Sequence, residues 1–190
     1  MDDINTGGSS SPSYLTVYNS KLYFRAYEPT DGSELWVYDG VNPPSMAANI
    51  NGPGSSNPAG LTVYASKLYF SANDGTNGTE LWVYNGVDAV MAANINTAVQ
   101  GNSSPSDLIV FDSNLYFRAY EPISGSELYV YNGTTASLLA NINAGGNSSS
   151  PSNFTIYNSK LYFQANDGTN GAELWVHDGV NPICLLYTSP

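Results

Sequence analysis

The sequence predicts an all-β fold built from four tandem repeats. The first observation is a phrase that occurs four times, a Leu-Tyr-Phe run followed by a polar loop and then Glu-Leu-(Trp/Tyr)-Val. Its glutamates lie at positions 34, 80, 127 and 173, which are 46, 47 and 46 residues apart. The second observation is that no apolar stripe follows a helical period. Such a repeat indicates supersecondary units that bury their apolar faces only by stacking on one another.

Each repeat contains four short β-type runs separated by turn residues. In the first repeat the runs begin at Leu15, Lys21, Glu34 and Ser45. The Asn19-Ser20 and Asp39-Gly40 steps between them favour tight hairpins. In the second run Leu22 and Phe24 alternate with Tyr23, so both faces of the predicted sheet are apolar or aromatic.

A sheet with two apolar faces must be covered on both sides. Blades packed around a common axis provide that cover, and four antiparallel strands per repeat of about 40–50 residues is typical of a β-propeller. We therefore predict a β-propeller with four four-stranded antiparallel blades, forming a single domain over residues 1–190. The alternative is half of an eight-bladed ring that closes by dimerisation.

The predicted blades cover approximately residues 6–51, 52–96, 97–143 and 144–187. Asp3-Ile4-Asn5 matches the Asn-Ile-Asn triplets that end the fourth runs, so the chain is expected to open with the end of a blade. Residues 183–190 differ from the other repeats and are interpreted as an aberrant tail, in which Ile183 to Tyr187 is apolar enough for an edge strand. Met1 to Asn5 is the competing segment for that place. Unpaired edges of this kind favour association between chains.

A longer period is superimposed on the repeats. The first and third share Phe-Arg-Ala-Tyr-Glu-Pro, beginning at Phe24 and Phe117. The second and fourth share Ala-Asn-Asp-Gly-Thr-Asn-Gly, beginning at Ala72 and Ala165. The sequence therefore predicts surface loops that alternate from blade to blade.

Composition excludes several classes of protein. Aromatic residues make up 13% of the chain and charged residues 11%, so enough apolar area is available to offset chain entropy and the chain is not disordered. The formal net charge is −11, and the five Lys and Arg residues form no basic run, which argues against nucleic acid and anionic membranes as partners. No apolar stretch approaches the roughly 20 residues of a membrane-spanning helix. A single cysteine excludes an internal disulfide and a thiolate metal cluster.

The segment from Asn73 to Trp82, which recurs from Asn166 to Trp175, resembles the ELWxxDGT-repeat family of bacterial proteins. The resemblance covers the chain from Asp3 to about Asn181. It implies propeller-like repeats in large, secreted or surface-attached proteins, and therefore an extracellular or cell-surface location, but no common activity. Two departures from the motif are valine after three of the four second Asp/Asn-Gly steps and Tyr129 in place of tryptophan.

Carbohydrate binding is the leading functional prediction. Sugar sites combine an aromatic platform with amide, carboxylate and backbone groups, and each repeat places aromatic residues beside Asn- and Asp-rich loops. The predicted ligand-binding residues are Tyr27, Trp36, Trp82, Tyr120, Tyr129, Trp175, Asn73 and Asn166. The alternative for the tryptophans is packing between blades.

The glutamate that opens each third run has two interpretations. It accepts bonds from N–H groups of the preceding loop and so pins the hairpin, or it joins loop oxygens as a ligand for calcium, the one cofactor that the sequence suggests. The calcium ligands would be Asp74, Asn77, Glu80, Asp167, Asn170 and Glu173. Arg25 and Arg118 are expected to pair with glutamates of their own hairpins.

Catalysis finds little support in the sequence. The only histidine, His177, replaces a tyrosine of the other repeats, and no phosphate loop, metal motif or nucleophile elbow occurs. We predict a non-enzymatic extracellular recognition module, lectin-like or adhesive, with glycans and a second copy of the chain as partners. The alternative is a ligand-free structural scaffold or protein-interaction segment of a larger surface protein, and an enzyme based on carboxylates or calcium ranks third.

Overall fold

A computed structural model describes residues 3–186, which form sixteen strands and no helix. The first blade contains β1 (Ser13–Tyr18), β2 (Lys21–Glu28), β3 (Gly32–Tyr38) and β4 (Ser45–Ala48). The second contains β5 (Ala59–Tyr64), β6 (Lys67–Asn73), β7 (Thr79–Tyr84) and β8 (Ala89–Ala93). The third contains β9 (Ser106–Phe111), β10 (Asn114–Glu121), β11 (Gly125–Tyr131) and β12 (Ala136–Ala140). The fourth contains β13 (Ser152–Tyr157), β14 (Lys160–Asn166), β15 (Ala172–His177) and β16 (Cys184–Leu185).

Each blade is a separate four-stranded antiparallel sheet whose strands pair in chain order, as the sequence predicts. The strands of every blade lie within the range predicted for it. The chain divides into two compact units, Met1–Ser104 and Pro105–Pro190, and each unit holds two blades. Within the described residues no helix is long and apolar enough to cross a membrane.

The predicted tight turns form for local reasons. Asn19 and Ser20 both adopt positive φ, of 47° and 59°, which matches a two-residue hairpin turn to the twist of the strands. At the next hairpin, the Asp39 carboxylate accepts bonds from the N–H groups of Val41 (2.9 Å) and Asn42 (2.8 Å). The Asp39 side chain thus fixes the turn by accepting hydrogen bonds from backbone N–H groups two and three residues further along the chain.

A bulge near the start of the first strand recurs in every blade. In the first blade the register between β1 and β2 shifts between Ser13 and Thr16, and Tyr14 has a φ of 57°. The equivalent residues with positive φ are Gly60, Asp107 and Asn153. In the first and third blades the bulge re-aims the side chain at this position, which places Tyr14 and Asp107 beside the arginines described below.

Stacking of one blade on the next builds the core of the first unit. We call the face that bears Leu68, Phe70 and Trp82, and its equivalents, the front face of a blade, and the face that bears Tyr23 and Leu35, and its equivalents, the back face. The front face of the second blade packs against the back face of the first. This contact covers the two apolar faces that the alternation predicts.

Tyrosine rings extend this contact toward the end of the blades. The Tyr23 ring lies 5.5 Å from that of Tyr18 in its own blade and 5.6 Å from that of Tyr84 in the next blade. Burial, and after it the neighbouring phenols of Tyr84 and Tyr18, raise the pKa of Tyr23 to about 12. The phenol is therefore neutral across the physiological range.

The second unit repeats this ring contact with two substitutions, Phe111 in place of Tyr18 and His177 in place of Tyr84. His177 occupies the position of Tyr84, is buried, and lies with its ring 5.7 Å from that of Tyr116. Its Nδ1 contacts the carbonyl of Asn181 at 3.1 Å. His177 therefore packs against the Phe111 and Tyr116 rings of the third blade. The predicted edge strand is confirmed at β16, which pairs with Trp175 and Val176, whereas its last predicted residue, Tyr187, lies outside the described residues.

Candidate functional site

Most of the predicted aromatic platform is buried. Trp36 and Trp82 are packed in front faces, and Tyr129 stacks on Phe117 with ring centroids 6.2 Å apart. Trp175 is half-buried and donates from Nε1 to the carbonyl of Ala165 at 2.9 Å. The tryptophans pack within and between blades, which corrects the prediction that they form an exposed sugar platform: the front faces need their apolar area for stacking.

The predicted asparagines hold turns. The Asn73 side-chain oxygen accepts the N–H of Gly75 at 2.6 Å, and that of Asn166 accepts the N–H of Gly168 at 2.7 Å. Their oxygens therefore serve the β6–β7 and β14–β15 loops.

Tyr27 and Tyr120 are the two predicted binding residues that the structure exposes, at 40% and 41%. Both lie near the end of the second strand of a blade, in the first and third blades. Along β2, Tyr27 shares a face with Arg25, because side chains two residues apart point the same way in a strand. The structure therefore brings an exposed aromatic ring and a guanidinium to the same end of the blade.

We call Ser13, Tyr14, Arg25 and Tyr27 the Arg25 patch. The Arg25 guanidinium carbon lies 5.1 Å from the centroid of the Tyr14 ring, within the range of a cation–π contact. Its Nε donates to Ser13 Oγ at 3.1 Å, which fixes the direction of the side chain. Tyr14 is 47% exposed. The patch thus combines two accessible phenol rings with an oriented cation.

The third blade carries a related group with a different charge. Arg118 Nε donates to Ser106 Oγ at 3.0 Å, and its guanidinium lies 3.6 Å from Asp107, the only salt bridge among residues 3–186. Asp107 occupies the bulge position of Tyr14. Arg118 is therefore neutralised, whereas Arg25 forms no ion pair with any described carboxylate. The expected pairing of both arginines with hairpin glutamates is corrected, because Ser13 and Ser106 lie directly opposite them on the neighbouring strand.

The loops between second and third strands alternate as predicted. In the first and third blades a glutamate caps the loop: Glu28 accepts from the N–H groups of Thr30 (3.0 Å) and Asp31. In the second and fourth blades an aspartate does so: Asp74 accepts from the N–H groups of Thr76 (2.9 Å) and Asn77 (2.7 Å). The Thr30 N–H, foremost among these bonds, lowers the pKa of Glu28. The carboxylate of Glu28 is therefore committed to its own loop and leaves Arg25 free.

Three of the repeat glutamates are buried anchors between segments. Glu80 has no exposed surface, and its carboxylate accepts from Ile95 N at 2.7 Å, Ser103 N at 3.0 Å and Ser103 Oγ at 2.6 Å. Glu34 accepts the same three bonds from Ile50 and Ser56. Glu127 accepts them from Ile142 and Ser149. The donors belong to the segment that leads out of the blade. This corrects the prediction that the preceding hairpin loop supplies them.

The structure separates the proposed calcium ligands of the second blade. Asp74 and Asn77 bond to each other in the hairpin loop, while Glu80 is saturated by Ile95, Asn96 and Ser103. Asp167 and Asn170 form the same closed loop in the fourth blade, and Glu173 makes no hydrogen bond with a described residue. Within residues 3–186 no three His, Cys, Asp or Glu side chains group as a metal site would require. Calcium binding stays a prediction, because the predicted ligands of the second blade are engaged in two separate sets of hydrogen bonds and do not surround one point.

The buried glutamates predict an unusual pH dependence. Burial raises the pKa of Glu34, Glu80 and Glu127, although their hydrogen bonds act in the opposite direction. A carboxyl whose pKa is raised on folding binds its proton more tightly in the folded state, so its contribution to stability is lost as pH rises through the folded value. We therefore expect the melting temperature to be higher near pH 5 than at pH 7.5, by scanning calorimetry.

The exposed turn aspartates determine how the stability of the fold changes at acid pH. Hydrogen bonds from Asn42 and Val41 lower the pKa of Asp39 to about 2, and those of Asn170 and Thr169 lower that of Asp167. Such groups stabilise the fold above their unfolded pKa and lose that effect as pH falls. Stability should therefore decline below about pH 4. A melting temperature that rises steadily from pH 5 to pH 7.5 would contradict the burial argument.

The chain matches no family model and no curated protein. Solved structures that are similar to it include the following two. The β-propeller domain of the Trilobed protease from Pyrococcus furiosus has a TM-score of 0.61 and 11% identity over 95% of this chain and 56% of that one. The fold is a β-propeller. The acylaminoacyl peptidase of Pyrococcus horikoshii has a TM-score of 0.63 and 10% identity over 94% of this chain and 27% of that one.

Identities this low show the fold of the propeller alone. The chain spans about half of the first similar structure and about a quarter of the second. The predicted ELWxxDGT resemblance stays a prediction. Two features of the site escaped the sequence argument, namely Tyr14 with Arg25 and the serine partners of the glutamates. A signal for the serines was present, since Ser10, Ser56, Ser103 and Ser149 follow the same 46, 47 and 46 spacing as the glutamates.

Proposed function

We propose that the propeller is a non-enzymatic extracellular recognition module that binds carbohydrate at the Arg25 patch. The observation that carries this proposal is the selective exposure of Tyr14 and Tyr27 around Arg25, in a chain whose other aromatic residues mostly pack between blades. Phenol rings offer an apolar surface to the C–H face of a sugar, and a guanidinium donates to its hydroxyls or to a carboxylate.

Charge favours an acidic sugar at this patch. The chain has a formal net charge of −11, yet the guanidinium of Arg25 faces no described carboxylate at ion-pair distance. A uronate or another acidic sugar supplies that carboxylate, and Arg can bind it in a bidentate manner. The Arg118 and Tyr120 group of the third blade, neutralised by Asp107, suits a neutral sugar instead. Two groups per chain would raise affinity for a repeating glycan through multivalency.

We expect Tyr27→Ala to weaken binding of an acidic oligosaccharide by about 10-fold, because it removes one stacking surface. Arg25→Gln should weaken acidic sugars more than neutral ones. A glycan array would select the ligand, and calorimetric titration would measure its dissociation constant. Val99→Ala, at an exposed loop residue outside both groups and outside every blade face discussed below, is the control. Equal losses in the control and in Tyr27→Ala would place the binding site elsewhere.

A ligand-free scaffold is the second candidate. It is supported by the use of Trp36 and Trp82 in packing, of Asn73 and Asn166 in turns, and of Glu80 as an internal anchor. Almost every repeated residue thus has a structural use. Absence of saturable binding to neutral and acidic sugars alike would favour this function over carbohydrate recognition.

A further inference from the structure

The back face of the fourth blade is an exposed copy of a surface that is buried elsewhere in the chain. Tyr157 is 64% exposed, whereas Tyr18 at the same position of the first blade is 3% exposed. Leu174 is 38% exposed, whereas Leu35 is fully buried beneath the second blade. In the first unit, the front face of the second blade covers Tyr18 and Leu35. The fourth blade has the equivalent residues on its back face, but they are exposed.

The front face of the first blade is the complementary surface. Tyr38 is 37% exposed, whereas Tyr84 at the same position of the second blade is 6% exposed because it packs on the first blade. A cavity of about 660 Å³ opens beside Tyr38 and is also lined by Ile4 and Ser10. Phe24 and Trp36 of this face are buried, with Ile4 and Met46 packed against them, so Tyr38 and the cavity are the accessible part that a back face would contact.

Hydrogen-bonding groups at the two faces match as well. Glu173 is half-buried, and its carboxylate accepts no hydrogen bond from a described residue, unlike the other three repeat glutamates. Ser10 occupies the position of Ser56, Ser103 and Ser149, yet its N–H and hydroxyl have no partner within residues 3–186. A cavity of about 420 Å³ beside Glu173, also lined by Tyr162 and Leu174, leaves space for the missing donors.

We propose that the back face of the fourth blade binds the front face of the first blade of a second copy of this chain. Residues 3–12 of the second copy then cross the fourth blade as residues 49–58 cross the first. Glu173 accepts from the N–H groups of Ile4 and Ser10 and from the Ser10 hydroxyl, as Glu34 accepts from Ile50 and Ser56. Tyr157 donates to the carbonyl of Ser20, as Tyr18 donates to that of Ser66.

This contact is heterologous, since two different surfaces meet. Heterologous contacts close only where the rotation between copies allows it, and in a closed pair each copy offers one face of each kind, so the interface forms twice. Each chain contributes four blades, so the pair contains eight. Since each chain carries a formal net charge of −11, salt that screens the repulsion should favour the pair.

Light scattering across a dilution series tests the proposal. The expected mass at high concentration is twice the 20.3 kDa of one chain. Leu174→Asp and Tyr38→Asp should each give a single-chain mass, because each places a charge in both copies of the interface. Val99→Asp, which adds the same charge at an exposed loop residue, should leave the pair intact.

Mixing the two variants is the decisive step. A Leu174→Asp chain keeps a sound front face and a Tyr38→Asp chain keeps a sound back face, so an equimolar mixture should regain a two-chain mass through one intact interface. Circular dichroism of each variant alone would verify that it is folded. A single-chain mass for the unmodified protein at all concentrations, or a two-chain mass for either variant alone, would overturn the proposal.

Discussion

Replacing Glu80 by glutamine should lower the free energy of unfolding by about 3 kcal/mol. The Glu80 oxygen that accepts from Ile95 N and the Ser103 hydroxyl becomes an amide nitrogen, which has no lone pair to accept with. The N–H of Ile95 then faces a donor in a site without solvent. An unsatisfied buried donor costs about 1–3 kcal/mol, and the repulsion between donors adds to it.

Protonation of the same carboxyl has a milder effect than the amide. A protonated Glu80 donates to the Ser103 hydroxyl and still accepts from Ile95 N, which is why acidification is expected to stabilise the protein while the glutamine variant is destabilised. The variant should also show a smaller gain in melting temperature between pH 7.5 and pH 5, because one of the three buried carboxyls no longer titrates.

The repeat supplies a matched control for this experiment. Glu173 occupies the same sequence position but makes no hydrogen bond with a described residue, so Glu173→Gln should change the stability of the single chain by less than about 0.5 kcal/mol. Urea denaturation followed by tryptophan fluorescence, at a dilution at which the chain is monomeric, measures both. Equal losses in the two variants would show that the Ser103 and Ile95 bonds contribute nothing to folding.

Replacing Leu35 by alanine should cost about 3 kcal/mol, within the usual range for a buried leucine. Leu35 is fully buried in the contact between the first and second blades, where it packs with Tyr23, Leu68 and Phe70. Removing its isobutyl group leaves a cavity that the rigid rings around it cannot fill.

Leu174→Ala is the corresponding control, because Leu174 is the same residue type at the same position of the fourth blade and is 38% exposed. We expect it to cost about 1 kcal/mol or less in the monomeric chain. The same urea titration measures the loss in free energy of unfolding for both substitutions. The difference between the two losses is the stability that Leu35 gains from being covered by a second blade. Equal costs would mean that the blades are stable without one another, contrary to the repeat argument.

Local chemistry explains why the strands and turns were predictable. The turns at Asn19-Ser20 and Asp39-Gly40 are fixed by bonds and dihedral preferences within four residues, so their sequence signals suffice. The alternation of Leu22 and Phe24 with Tyr23 likewise predicts a sheet with two apolar faces, and this prediction does not depend on which segment covers each face. The caps of the loops, Glu28 and Asp74, follow the longer period for the same reason.

The site was less predictable because exposure depends on residues distant in sequence. Trp36 and Tyr27 look alike as candidates for a sugar platform, yet Trp36 is buried in a front face and Tyr27 is exposed near the end of β2. The partner of Arg25 is Ser13 rather than a hairpin glutamate, because the bulge in β1 sets the register across the strand pair. Neither outcome follows from spacing alone.

By itself, the sequence determined the number of blades, their four strands, the turns between them and the need for cover on both faces, because period, alternation and turn chemistry are properties of neighbouring residues. Only the tertiary structure decided which aromatic residues stay accessible and which donors surround each glutamate. Those contacts join segments that lie about 15 to 23 residues apart, such as Glu80 with Ile95 and Ser103. Their geometry is fixed when one blade is laid against the next and when the outgoing chain crosses its end.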